Sequence, residues 1–296
     1  MKKALSSVLA ILLALAMLCA FAACKKSNPE TSTDPDDVTT EDIAAGATTA
    51  DDDITEPPTE TEPTTEETTT EPEVVDPFVP PADLDTLSKA DKLAYFNLVA
   101  NRVRTERPGF TENFGKVISD LTFTGVVRAF QGIIDGVVRD LTGQEEPNVI
   151  AKGSDNSGKF LSSNANASDL KESDVTSISA KKSGSDWVLT VKIKSETNPA
   201  KGTGSANSRI YPIASRKEVL DEITGVASII SADENKATLV YKDGTVNLTV
   251  NEKGQVTAAD YSFKVDATAP GVKISFISTD VTAVMTTTWK GSSFKW

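Results

Sequence analysis

The chain contains no histidine, only two cysteines, and 6% aromatic residues. The absence of histidine excludes a Ser-His-Asp triad, a Cys-His dyad and every metal site that needs an imidazole ligand. Two cysteines are too few for a four-cysteine metal site or a disulfide framework. The strongest signals that remain concern the location and the fold class of the protein.

The N-terminus has the three parts of a secretion signal. Lys2 and Lys3 form a short basic region, and positions 4–23 carry no charge. The run ends in Phe21-Ala22-Ala23-Cys24, with two small residues before the cysteine. This order of a basic start, an apolar centre and small residues indicates a cleaved signal peptide. An uncleaved membrane anchor is the alternative, because the apolar run nearly reaches the length of a bilayer span.

The ending Phe21-Ala22-Ala23-Cys24 resembles the lipobox of bacterial lipoproteins, with Phe21 where that family usually has an aliphatic residue. In that family the cysteine is acylated through its sulfur and becomes the new N-terminus. The resemblance implies that residues 1–23 are a lipoprotein signal peptide and that Cys24 is the lipidation site. Two or more acyl chains, at about 0.8 kcal/mol per buried CH₂, would hold the protein on the outer face of the bacterial cell membrane.

Residues 24–81 differ in composition from the rest of the chain. Positions 25–80 contain 17 acidic residues and two lysines, whereas positions 81–296 contain 26 acidic and 26 basic residues. Few apolar side chains and a high net charge predict disorder. We therefore expect a spacer that reaches about 190 Å when fully extended. An acidic cation-binding tail and a glycosylated Thr-rich stalk are the alternatives.

Residues 82–296 have the composition of a globular domain, and two helices are predicted near its start. Ser88 and Asp91 have capping-box spacing, so a helix is expected from Ser88 to the breaker Arg107-Pro108-Gly109. Apolar residues recur at steps of three and four over 126–141, which predicts a second, mostly buried helix. A third, short helix is predicted from Ser215 to Thr224.

Most of the remaining domain shows strand patterns with a period of two. Ser183-Gly184-Ser185-Asp186 is predicted to be the turn before a strand that begins at Trp187. Asp243-Gly244 is the strongest hairpin signal, and Asn251-Glu252-Lys253-Gly254 and Pro270-Gly271 predict further turns. Short sequential turns require antiparallel neighbours. Further strands are expected over 117–123 and 209–213, and polar loops over 144–169 and 198–208.

The predicted fold class is α+β, with N-terminal helices packed on a twisted antiparallel sheet of about six to eight strands. The helix at 126–141 is expected to cover one face of the sheet. A curved sheet with a helix in its concavity resembles the half-barrel of LolA-like lipoprotein carriers and related lipid-binding lipoproteins. The resemblance covers about 84–296 in outline and matches no motif. It implies a lipid-like or other apolar ligand held between helix and sheet.

A candidate ligand groove follows from that architecture. Its expected lining residues come from the helix at 126–141 and from aromatic positions of the strands: Phe130, Ile134, Trp187, Tyr261 and Phe263. Tyr241 and Phe276 are further aromatic candidates. Packing in the core is the alternative explanation for all of these aromatic residues.

Candidate catalytic groups are carboxylates, because histidine is absent. Asp169, Glu172 and Asp174 lie close in sequence, as do Asp221 and Glu222. Paired carboxylates hydrolyse glycosides when they are held at a fixed separation, but solvated surface charge is the simpler interpretation.

Three short fragments resemble the motifs of penicillin-recognising serine enzymes. They are Ser154-Asp155-Asn156, Lys182-Ser183-Gly184 and Ser292-Ser293-Phe294-Lys295. The fragment with the candidate nucleophile comes last instead of first, so we interpret all three as coincidence.

We therefore expect a non-catalytic binding domain with no cofactor, anchored to the membrane and facing the outside of the cell. The first hypothesis is an apolar ligand. The second is an adhesive or structural module that contacts protein or cell-wall polymer, for example through Lys181, Lys182, Lys192 and Lys194 on one sheet face. The third is a hydrolase that uses carboxylates. Nucleic-acid binding is not expected, because the domain has no net charge and no aromatic-basic motif.

Overall fold

The computed structural model describes residues 76–132, 143–162, 167–225 and 230–296. Within them, a large antiparallel sheet dominates, and the α-helices are α1 (Lys89–Glu106) and α2 (Arg216–Gly225). Neither helix is long and apolar enough to cross a membrane. The predicted signal peptide, Cys24 and nearly all of the predicted spacer lie outside the described residues.

Helix α1 begins and ends where its sequence predicts. The Ser88 hydroxyl oxygen accepts the backbone N–H of Asp91 at 3.1 Å, which satisfies one of the free donors at the helix start. Arg107 adopts a left-handed conformation at the other end, and its N–H bonds to the carbonyl of Val103. The predicted apolar stripe is buried: Leu93, Phe96, Val99, Ala100 and Val103.

Within the described ranges the sheet has ten strands, and all their pairings are antiparallel. The main path through the sheet is β2-β1-β10-β9-β8-β5-β4, and β3 pairs with β1, β6 with β8 and β7 with β9. Their bounds are β1 Gly109–Phe123, β2 Gly143–Gln144, β3 Asn148–Ile150, β4 Val175–Ser183, β5 Asp186–Ile193, β6 Glu196–Thr197, β7 Ile230–Ser231, β8 Thr238–Val250, β9 Val256–Ile274 and β10 Ile277–Lys295.

The two faces of the sheet differ in burial because successive side chains of a strand point to opposite sides. One face, the inner face, carries buried side chains such as Trp187, Tyr261 and Trp289. They belong to the same hydrophobic core as the buried side chains of α1. The opposite, outer face carries side chains such as Thr190 and Asn247, which are only half-buried.

The hairpin predicted at Asp243-Gly244 is wrong, because β8 runs through these residues without reversing. Lys242 pairs with Lys264 and Thr245 with Ser262, so Asp243 and Gly244 together oppose a single residue of β9. This is a β-bulge, in which one extra residue is accommodated without a turn. The left-handed conformation of Asp243 (φ 56°) thus kinks the strand instead of starting a hairpin.

The turn predicted at Pro270-Gly271 is also a bulge, and β9 continues through it to Ile274. Proline has no N–H to donate, and Gly271 directs its own N–H to the Asp280 carboxylate at 2.8 Å. The chain reverses at Ser275 and Phe276, since Ile274 pairs directly with Ile277. The turns at 183–186 and 251–254 are confirmed, and they join β4 to β5 and β8 to β9.

A third bulge corrects the prediction for 117–123. The alternation there predicts one face for Val117, Ser119, Leu121 and Phe123. The register of β1 against β10 shifts between Ser119 and Thr122, where Asp120 has a φ of 52°. Leu121 and Phe123 are therefore buried, whereas Val117 is 54% exposed. The hydrophobic alternation alone does not show where an extra residue changes the face.

The two predicted loops contain buried structure. Phe160 and Leu161 in the first loop are fully buried, and Ser205–Ser208 in the second are buried as well. The segment 209–213, which is predicted to be a strand, forms a turn at Arg209 and Ile210 followed by irregular chain. Helix α2 is confirmed, with Ser215 and Glu218 bonded reciprocally at its start.

The helix predicted at 126–141 is described only in part. Residues Gly125–Phe130 form a 3₁₀ helix, and 133–142 lie outside the described residues. The expectation that this helix covers the sheet therefore stays a prediction.

Both ends of the described chain meet at α1. The Tyr95 hydroxyl donates to the carbonyl of Phe78 at 2.8 Å. The Arg102 guanidinium lies 4.3 Å from the ring centroid of Phe78 and 5.4 Å from that of Trp296. Gly254, in the turn between β8 and β9, has no room for a side chain, because a Cβ would lie 1.9 Å from the Phe78 carbonyl oxygen.

Candidate functional site: the two faces of the sheet

The described groove candidates lie on the inner face and are buried. Trp187 is 5% exposed, Tyr261 1% and Phe263 2%. Tyr261 stacks on Trp289 with ring centroids 5.8 Å apart. The side chain of Phe130 and the whole of Ile134 lie outside the part of the chain that is described.

Tyr211 fills the space above this aromatic face. Its ring stacks on Phe263 with centroids 4.5 Å apart and meets Tyr261 edge-on at 5.1 Å. Burial raises the pKa of the Tyr211 hydroxyl well above its usual value, and the nearby Tyr261 adds to this effect. The three rings therefore pack closely against one another, as side chains in protein interiors do.

The chain around Tyr211 is held in place by the Glu196 carboxylate on β6. Its oxygens accept the backbone N–H groups of Ala206 (3.1 Å) and Asn207 (2.9 Å) and the side-chain amide of Asn207 (2.8 Å). The Asn207 carbonyl in turn accepts the N–H of Tyr211 at 2.8 Å. A carboxylate that accepts several N–H groups is a strong fixing point, so Tyr211 is firmly positioned.

Two of the candidate catalytic carboxylates meet at an arginine. Asp174 lies 3.5 Å from the Arg209 Nε and 3.8 Å from the Lys194 Nζ, and Asp169 also pairs with Arg209. The two cations balance the acidic charge of the two carboxylates. Among the described residues, no cluster of three or more Asp, Glu, His or Cys side chains is arranged to hold a metal ion.

The other carboxylate candidates lie elsewhere. Glu172 is exposed in a 3₁₀ turn before β4. Asp221 pairs with Lys217 on the solvent side of α2. The side chain of Glu222 is outside the described set.

The three serine-enzyme fragments serve as turns or strand. Asn156 is buried and donates to the Val103 carbonyl at 2.8 Å. Asp155 accepts the Ser157 N–H at 3.0 Å, and hydrogen bonds from Ser157 lower the pKa of its carboxyl group. Lys182-Ser183-Gly184 forms the β4–β5 turn, and Ser292–Lys295 ends β10. This agrees with the interpretation as coincidence.

The lysine patch predicted for one face is divided. Lys182 lies 5.8 Å from the ring of Trp187, which is an inner-face residue. Lys194 is engaged by Asp174 and by Glu196. Lys181 and Lys192 are exposed on the outer face.

The outer face places polar side chains in straight rows across the strands. One row, the Asn247 row, follows the direct pairing of six strands from β4 to β1: Ser179, Thr190, Asn247, Asp260, Lys290 and Asn113. Hydrogen bonds link its centre, since Thr190 donates to Asn247 at 2.7 Å and Asn247 to Asp260 at 2.8 Å. At a spacing of about 4.8 Å per strand, six residues span about 24 Å.

A second row lies beside the first, and we call it the Ser262 row: Ser177, Lys192, Thr245, Ser262 and Thr288. None of the side chains in the two rows is buried. Beyond the rows, Lys242 pairs with Asp266, and the hydrogen bond from this lysine to the carboxylate raises the pKa of Lys242. The outer face is thus a broad surface of hydroxyl, amide and mixed-charge groups.

Tyr211 and the two rows were not identified in the sequence. Tyr211 lies in the segment 209–213, which the sequence pattern predicts to be a strand. The rows had a visible signal, because polar residues alternate along β5, β8 and β9. The register that aligns them across the sheet is not contained in any one strand.

No protein-family model matches the chain, and the searches of curated proteins and of solved structures gave no match either. Functional arguments therefore depend on the residues themselves.

Proposed function

We propose that this protein is an extracytoplasmic lipoprotein, anchored through Cys24, whose domain binds a polar polymer through the outer face of its sheet without catalysis. The polymer class that fits is a polyhydroxylated one, such as a cell-wall glycan. This function corresponds to the second hypothesis drawn from the sequence, the adhesive module, and the outer face is the binding surface proposed for it.

The observation that carries the proposal is the alignment of the Asn247 row and the Ser262 row. They offer hydroxyl, amide, carboxylate and ammonium groups at regular intervals over about 24 Å. Such groups both donate and accept hydrogen bonds, as the hydroxyls of a glycan do. An extended polymer can meet many of them at once, so that weak contacts add up.

The inner face supports an apolar ligand less well. Tyr211 occupies the space above Phe263 and Tyr261, and its backbone is tied to Glu196 through Asn207. A lipid-like ligand would have to displace this buried ring, with the cost of emptying a well-packed core. The half-barrel arrangement with a covering helix belongs to this alternative proposal.

Co-sedimentation with insoluble cell-wall glycan tests the outer face. The full-length lipoprotein in detergent micelles would be compared with Ser262→Arg, which places a bulky charge within the Ser262 row. We expect at least a tenfold loss of binding. The matched control is Ser231→Arg, a substitution at an exposed serine of β7 outside both rows. Equal binding by all three proteins would contradict the proposal.

Native mass spectrometry tests the apolar alternative on the same protein. We expect the mass of the acylated chain without a further bound molecule. A second lipid-like mass at near-unit occupancy would favour the carrier function over polymer binding.

The anchor has its own test. Cys24→Ala is expected to leave an unprocessed precursor that incorporates no labelled fatty acid. Normal processing and acylation of this variant would contradict the lipobox assignment.

A further inference from the structure

The loop between β9 and β10 exposes an aromatic side chain at one end of the sheet. Phe276 is 92% exposed, more than any other large hydrophobic residue among those described. Val126 is 64% exposed in the neighbouring 3₁₀ helix. Gly125 adjoins the same loop, since a Cβ placed on it would lie 3.7 Å from the Ser278 carbonyl oxygen. We call Phe276 and Val126 with their flanking residues the apolar tip.

Hydrogen bonds join the two parts of the apolar tip. The N–H of Thr124 donates to the Asp280 carbonyl at 3.1 Å, and the N–H of Asp280 donates to the Thr124 hydroxyl at 2.8 Å. The buried Thr279 hydroxyl donates to the Thr124 carbonyl at 3.0 Å. The start of the 3₁₀ helix is therefore bonded to β10 close to the loop, and the pairing of Ile274 with Ile277 holds the backbone on either side of Phe276.

Cations accompany the exposed apolar groups. Lys273 is exposed directly opposite Ser278 in the β9–β10 register, and Arg128 is exposed in the 3₁₀ helix. Within the described ranges, neither has a carboxylate partner within ion-pair distance. The carboxylate of Asp280 lies nearby and accepts the N–H of Gly271. Within the segments 124–132 and 271–280, Lys273 and Arg128 outnumber the single acidic residue Asp280.

We propose that the apolar tip inserts into the interface of an anionic lipid bilayer. Phe276 and Val126 would enter the boundary between headgroups and acyl chains, while Arg128 and Lys273 would meet the anionic headgroups. Aromatic and apolar groups flanked by cations are the combination that binds such interfaces. A protein pocket could accept the phenylalanine, but it would not account for the two unpaired cations in the same segments.

This inference rests on the lipid anchor of the proposed function, which keeps the domain near a membrane. Phe276 lies at one end of the 19-residue strands β9 and β10, and Phe78 packs at the β8–β9 turn at the other end. The strands are about 63 Å long. The spacer predicted before the domain is long enough, at up to about 190 Å, to let the far end reach the membrane.

Depth-dependent quenching of a fluorescent label tests the inference. The full-length lipoprotein would be placed in vesicles of phosphatidylglycerol and phosphatidylethanolamine, with an environment-sensitive dye on Ser278→Cys. The matched control carries the dye on Val149→Cys, a residue that is 74% exposed in β3 and pairs with Thr111 near the start of β1. Spin-labelled lipids are expected to quench the dye at 278 at least threefold more than the dye at 149.

A second variant tests whether the quenching at position 278 depends on Phe276 or on the dye alone. Phe276→Ser in the Ser278→Cys background is expected to reduce the quenching to the level of the Val149 control. Equal quenching at 278 and 149, or quenching at 278 that survives Phe276→Ser, would overturn the inference.

Failure of the anchor would look different. Both labelled proteins would then be lost from the vesicle fraction, which would overturn the proposed anchor and the inference together. A vesicle-bound protein whose dye at 278 stays in water would overturn the inference alone.

Discussion

The inner and outer faces of this sheet are made by the same strands but are stabilised in different ways. Along β5, Trp187, Leu189 and Val191 are buried, whereas the alternate residues Thr190 and Lys192 meet solvent. The side chains of the inner face are closely packed, because Tyr211 and its neighbours fill the space above them. The polar groups of the outer face form hydrogen bonds with one another or with water.

The comparison shows why an aromatic cluster is a poor indicator of a ligand site in this fold. Aromatic rings have large surfaces that stabilise a core when they are packed against one another. A polar row on the opposite face adds little to stability, since its hydrogen bonds are exchanged for those of water. Residues that contribute little to the stability of the fold are therefore concentrated on the outer face.

The largest effect is expected from removing the ring that fills the inner face. Tyr211→Ala should lower the free energy of unfolding by about 3–5 kcal/mol, because it leaves a cavity above Phe263 and Tyr261. Urea denaturation followed by tryptophan fluorescence measures this change. A loss below about 1 kcal/mol would mean that the inner face is loosely packed, and would restore the groove hypothesis.

The bulge in β8 gives the second-largest effect. A methyl group at Gly244 would lie 2.7 Å from the Tyr211 hydroxyl oxygen and 3.1 Å from Cβ of Ile193. Gly244→Ala should therefore cost about 1–3 kcal/mol through overpacking. The double variant with Tyr211→Phe should recover part of this loss, because the closest atom is gone. A strictly additive double-mutant cycle would show that Tyr211 and the bulge are not in contact.

Tyr211→Phe alone is expected to raise the stability by about 1 kcal/mol. The hydroxyl is buried and has no hydrogen-bond partner among the described residues, and an unsatisfied buried polar group is destabilising. Chemical denaturation compares the variant with the parent protein. A loss of stability would instead reveal a hydrogen-bond partner for this hydroxyl and a more polar inner face.

The smallest effect on stability is expected on the outer face. Thr190→Val removes the donor to Asn247 but keeps the β-branched shape, so the change should stay within about 0.5 kcal/mol. Glycan co-sedimentation of the same variant should fall, because the row loses a hydroxyl. A large loss of stability with unchanged binding would reverse the roles that we assign to the two faces.

Local signals in the sequence predicted many of the elements. The cap at Ser88, the breaker after Arg107 and the turn at 183–186 were read directly from residue types, and the structure confirms them. The antiparallel sheet followed from the period of two and the short turns. These features depend on neighbours within a few positions, so a single segment contains the information.

Three bulges and one buried tyrosine could not be predicted in this way. Asp243-Gly244 favours a positive φ both in a hairpin and in a bulge. The pairing of Lys242 and Thr245 with the same strand decides in favour of the bulge. At Pro270-Gly271 and at Asp120, long-range strand pairing likewise selects the bulge among local conformations of similar energy.

The sequence by itself determined the capped helices and the division of each strand into an apolar and a polar face, and it predicts the anchor and the spacer. The tertiary structure alone decided that Tyr211 covers the aromatic face, that Asp169 and Asp174 meet Arg209, and that polar residues of separate strands form rows. Composition and periodicity act over a few residues. Register and packing arise only when segments distant in sequence compete for the same space.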